Sequence, residues 1–134
     1  MSPFDVWLKS FDVRLEACRQ GGVLCSAILT AYGLWAEKAG IIAAPWSTPG
    51  GGWAVIAFVL LIAGVACAAG AHHVFGCALT QAALQADGKN LSAVSLGYVD
   101  QSRLLVWTGS LGVAEIACVV IGVFSAVASV VTHK

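Results

Sequence analysis

Three ionisable side chains sit inside otherwise apolar sequence: His72, His73 and Glu115. An ionisable residue within a membrane costs about 2.5–3.5 kcal/mol on insertion scales, so it marks function by default. Depth groups the three further. If the histidine-bearing helix ends near Asp87 and the next begins near Arg103, His73 lies fourteen residues from one end and Glu115 twelve from the other. At ~1.5 Å per residue both are about 18–21 Å deep, so an antiparallel hairpin brings them to similar height. Cys77 follows His73 by four residues and Cys118 follows Glu115 by three, so each pair shares a helix face. His73, Cys77, Glu115 and Cys118 are donors that a transition metal accepts. No recognised ligand spacing supports a metal, and a buried cysteine serves as a small hydrophobe, so no metal is assigned. Packing is the chemistry assigned first: Glu115 neutral, or hydrogen-bonded to a histidine or a neighbouring subunit's polar group. A proton or ion relay comes second, because a lone Glu without further polar steps makes a poor pathway.

Those residues need a membrane around them. The 48 residues from Ala39 to Ala86 contain no Asp, Glu, Lys or Arg, and Leu104 to Thr132 contains only Glu115. The chain is 59 % hydrophobic and 10 % charged, against about 25 % charged in soluble domains. Zero net charge without a basic run argues against nucleic acid. No nucleophile–base motif, phosphate loop or dinucleotide fingerprint appears, so the chain is not read as an enzyme. Five scattered cysteines, an odd number with no C-x-x-C, read as buried thiols.

The reading is an all-α integral membrane protein, one domain over 1–134, with three transmembrane helices preceded by an amphipathic interfacial helix. Residues 2–19 form the surface helix. Ser2 and Asp5 make a capping box around Pro3, and Phe4, Trp7, Leu8, Phe11 and Leu15 make an apolar stripe. The stripe suits a lipid surface or a partner's groove equally. The first span is 18–38, with Tyr32 and Trp35 as interface anchors. A Pro/Gly connector over 39–52 leads to the second span, 53–79, whose helix continues toward 86 before the stop at Asp87-Gly88-Lys89-Asn90. A polar connector containing Tyr98 precedes the third span, 104–131. Small residues four apart (Ala27/Ala31, Gly64/Ala68, Ala66/Gly70, Gly122/Ala126) allow close helix approach. Lys9, Arg14, Arg19, Lys89 and Arg103 fall on one side, against Lys38 and Lys134 on the other. The positive-inside rule then places the N-terminus on the cytoplasmic or matrix-like side. A mitochondrial or bacterial inner membrane suits this composition.

His72-His73-Val74-Phe75-Gly76, with Asp87 downstream, resembles the H-x-x-x-G segment in the second span of the small three-span anchor subunits of succinate dehydrogenase. That likeness covers about fifteen residues. It implies a haem- or quinone-associated anchor with His72 and His73 as cofactor-binding residues. The Asp-Tyr pair expected after the ligand and a quinone-site Ser/Arg arrangement in the first span are absent. The functional expectation is therefore a small accessory subunit of a larger complex in an energy-transducing (respiratory or photosynthetic) membrane, engaged in electron transport through non-catalytic packing. Membrane lipids, bound lipid and other membrane subunits are its expected partners. The alternatives are the haem- or quinone-associated anchor, or a small oligomeric channel or transporter using Glu115 and His72/His73.

Overall fold

The computed structural model describes residues 3–86, 88 and 101–134, without the side chains of 3–8, 10, 11, 86, 101 and 102. The Ser2 cap, the side chains of Phe4, Asp5, Trp7, Leu8 and Phe11, the Asp87-Lys89-Asn90 stop and Tyr98 lie outside the described residues. Those described form three helices and no strand: α1 (Pro3–Lys38), α2 (Gly51–Ala86) and α3 (Gln101–Thr132). Two of them are long and apolar enough to cross a membrane, over Gly51–Gln85 and Arg103–Thr132.

α1 does not divide near residue 18 into a surface helix and a separate span. It runs unbroken through Gly21-Gly22. Glycine inside a helix costs up to about 1 kcal/mol relative to alanine. Here close packing offsets that cost: a Cβ on Gly22 would come within 2.9 Å of the Ala68 Cβ on α2. The same tolerance recurs at Gly64, flanked by Cys25 of α1 and Cys118 of α3, and at Gly122, against Leu61. Of the small-residue pairs, Gly64/Ala68 and Gly122/Ala126 are buried, whereas Ala27 and Ala31 are exposed.

Lys38 is the last helical residue of α1 because Gly40 adopts the left-handed conformation, with φ 73°. The Gly40 N–H donates to Glu37 O and the Ile41 N–H to Ala36 O, both at 3.0 Å. This is a Schellman cap, and its usual apolar contact is present between buried Ile41 and Ala36. The connector then folds back onto the far end of α3, where His133 Nδ1 lies 3.3 Å from Pro49 O. An aromatic group closes this end. Tyr32 stacks on Trp35 at 5.5 Å and tilts against Phe58 at 5.1 Å, and Trp35 meets His133 edge-on at 5.6 Å.

α2 packs against both neighbours, while α1 and α3 barely touch. The bundle is shut at the connector end and splayed at the other. Hydroxyls along the helices satisfy themselves locally: Ser26, Thr30, Thr80, Thr108, Ser125 and Thr132 each donate to the carbonyl four residues back. That arrangement suits apolar surroundings, where water supplies no partners.

Candidate functional site: a buried carboxyl in the α1–α3 seam

Glu115 is 2 % exposed. Its side chain leaves α3 toward α1 and ends against Gly21, where any Cβ would overlap Oε1. Only glycine there leaves room for the carboxyl. Cys18 on α1 and His72 on α2 are the polar groups that act on it. Even so, Glu115 Oε1 and His72 Nε2 are both buried with no hydrogen-bond partner among the described residues. Buried polar atoms are normally paired, so each orphan calls for an explanation.

The two histidines part company. His72 is half-buried on the inner side of α2, whereas His73 is exposed with Nε2 3.9 Å from Cys77 Sγ. Cys118 packs lower, beside Gly64 and Cys67. The quartet of His73, Cys77, Glu115 and Cys118 is therefore not one cluster. Among the described residues no three His, Cys, Asp or Glu side chains converge on a point where a metal ion would sit.

The shared depth also needs correcting. Gly64 lies against Cys118 and Gly70 against Leu111, which sets Glu115 level with about residue 67 of α2. The His73 backbone is then about 9 Å away along the helix axis. Counting from helix ends failed because those ends are not level: by the same register α3 starts opposite about residue 80, and α2 continues to Ala86.

Where α1 and α3 diverge they leave an apolar groove of about 1080 Å³. Its walls are residues 14–24 of α1 and 105–120 of α3; small residues such as Ala17, Gly21, Gly109 and Gly112 line it, and Glu115 is its acid. Arg14 stands at its outer end. Neither His72 nor His73 lines this groove or the smaller cavity beside Pro45 and Phe58.

No protein-family model matches the chain, and no curated protein or solved structure matches it significantly. Its chemistry must be argued from these side chains alone.

Sequence reasoning singled out Glu115 and missed what surrounds it. Cys18 was read as the edge of a span and Gly21 was not singled out. The signal for Gly21 was available in the Gly21-Gly22 pair, since glycines inside an apolar helix usually mark close approach. Gln81, 1 % exposed with an unpartnered Oε1, and buried Ser129 carried no signal in the sequence. What this arrangement can do is hold one polar group in apolar surroundings, at the wall of an open groove.

Proposed function

We propose that the chain is a small, non-catalytic accessory subunit of a multi-subunit membrane complex, spanning the bilayer three times and acting through helix packing. One observation carries the reading: the α1–α3 seam is open along about fifteen residues of α3, lined by small and apolar side chains, with the buried Glu115 carboxyl in its wall, one oxygen of which has no hydrogen-bond partner among the described residues. A self-sufficient three-helix bundle would close that seam. A slot with small residues on both walls admits another transmembrane helix, since close backbone approach is what drives association in lipid.

The third span rests on α1 lying beside α2. Gly22 and Gly33 of α1 meet Ala68 and Phe58 of α2, so α1 shares the height of a helix apolar enough to span. With Tyr32 and Trp35 near the connector and basic residues toward the other end, α1 is built as a crossing helix whose first turns emerge on the N-terminal side. Membrane lipid covers the exposed apolar side chains of α3, such as Val113, Ile116 and Phe124. An energy-transducing membrane remains the proposed setting.

Purification in mild detergent tests the reading. A stoichiometric protein partner, co-eluting and lost in harsh detergent, is the expected result; a lone monomer overturns it. A second reading follows from Glu115 facing His72: a small channel or transporter working through that pair. It requires Glu115→Gln to abolish transport in vesicles while assembly survives. Neither histidine lines the groove, so a haem- or quinone-associated reading would rest on the outer face of α2, where His73 is exposed.

A further inference from the structure

The α1–α3 groove follows residues 105–120 of α3, a length of about 22 Å at ~1.5 Å per residue. One leaflet with its headgroup layer is about 20–22 Å thick, half of a whole bilayer. The groove also sits at the depth of one leaflet. With 18–38 of α1 as the span, the bilayer midplane falls near residue 28, ten residues or about 15 Å in. Gly21 lies against Glu115, so residue 28 stands opposite about residue 122 of α3. The innermost walls, Leu24 and Val120, stop just short of that level, and the slot ends where Gly122 packs on Leu61. Its outer end carries Arg14, four residues before the span and so about 6 Å outside it, at headgroup height.

The charges at this mouth are of one sign. Arg14 is exposed and makes no ion pair among the described residues, unlike Arg19, which Glu16 holds. Arg103, likewise exposed and without an ion pair among them, continues the opposite wall. It precedes groove-lining Ser110 by seven residues, which puts the two only about 20° apart around α3. Acids are turned away. Asp12 and Glu16 each lie two residues from Arg14, about 160° around α1. Glu115, level with Gly21, is about 10 Å deeper than Arg14.

We propose that the groove of the free chain binds one anionic glycerophospholipid from the leaflet on the N-terminal side, with its phosphate on Arg14 and Arg103 and its acyl chains along Ala17, Gly21, Gly109 and Gly112. A guanidinium donates two parallel hydrogen bonds to a phosphate. Basic residues at the end of a transmembrane helix attract anionic headgroups, and two of them without a facing acid favour a headgroup that brings no ammonium of its own. A transmembrane helix crosses both leaflets, whereas this slot serves one, and lipid matches it end to end. The site presupposes α1 as a crossing helix. It goes beyond the accessory-subunit reading by naming what fills the slot until a partner's helix takes its place.

The test uses the full chain in vesicles of phosphatidylcholine and phosphatidylglycerol. Native mass spectrometry should find one phosphatidylglycerol retained per chain in preference to phosphatidylcholine. Arg14→Gln and Arg103→Gln should each weaken that retention about fivefold. Arg19→Gln, at an arginine already claimed by Glu16, should leave it unchanged. Phosphatidylglycerol with a photoreactive diazirine halfway along one acyl chain should label residues 18–24 or 112–120. Gly109→Phe should abolish the labelling, because a Cβ there meets open space and the ring fills the groove without disturbing a helix contact. Equal retention of the two lipids, retention unmoved by both Arg14→Gln and Arg103→Gln, or labels spread evenly over α2 and the groove each overturn the proposal. Circular dichroism checks that every variant stays helical; should one lose helix, the wild-type lipid preference and label map decide. A stoichiometric protein partner with the groove unlabelled by lipid in the free chain overturns the lipid site and leaves the accessory-subunit reading standing. A lipid-loaded chain that purifies alone in mild detergent does the reverse.

Discussion

At the scale of single residues, the contact between Gly21 and the Glu115 carboxyl is the most demanding in the chain, since a Cβ and Oε1 would occupy the same space. Gly21→Val should destabilise the protein in detergent unfolding by roughly 1–3 kcal/mol, the usual cost of overpacking. Combining it with Glu115→Ala should recover part of that loss; strict additivity would show that the two positions do not touch. On the exposed face of α1, Arg19 donates twice to Glu16, at 2.7 and 2.9 Å, and Gln20 donates once at 3.2 Å. Residue types pointed to Glu115 because a lone acid in an apolar run is conspicuous. They could not tell His72, half-buried, from His73, exposed, which sit about 100° apart around α2. Only packing decides which faces inward.

Element by element, the helix stops are argued from backbone geometry. Gly40 and Gly50 both have positive φ, at 73° and 78°, yet substitution should separate them. At Gly40 a Cβ meets open space, so Gly40→Ala carries only the left-handed penalty of about 1–2 kcal/mol. At Gly50 it would also come 2.5 Å from Ser129 O and 2.7 Å from Thr132 Oγ1. Gly50→Ala should therefore unfold at clearly lower denaturant than Gly40→Ala, and equal midpoints would contradict the packing of the connector on α3. The connector's glycines and prolines made the break between α1 and α2 legible. The continuity of α1 was not. A charged amphipathic segment followed by an apolar one reads as two elements, and nothing local reveals that Gly22 has Ala68 to pack against. Relative height was hidden for the same reason: it depends on which residues touch across helices, and α2 overruns α3.

For the whole molecule, the number of crossings fixes where the termini lie. Three crossings put Pro3 and Lys134 on opposite sides of the bilayer; a surface-lying α1 with two crossings puts them on the same side. Labels attached at each end of the protein in sealed, oriented vesicles should react from opposite sides, with exposed Trp46 of the connector reached from the C-terminal side. Labelling of both ends from one side would remove the third span. Composition alone pointed to helices apolar enough to cross a membrane, and two of the described helices are.

Among the described residues, α1 and α3 share a packed cluster at the connector end and leave an apolar groove toward the other, so the described bundle tapers. An inclusion wider in one leaflet than in the other acts as a wedge, and lipid relieves the mismatch by bending toward the narrow side.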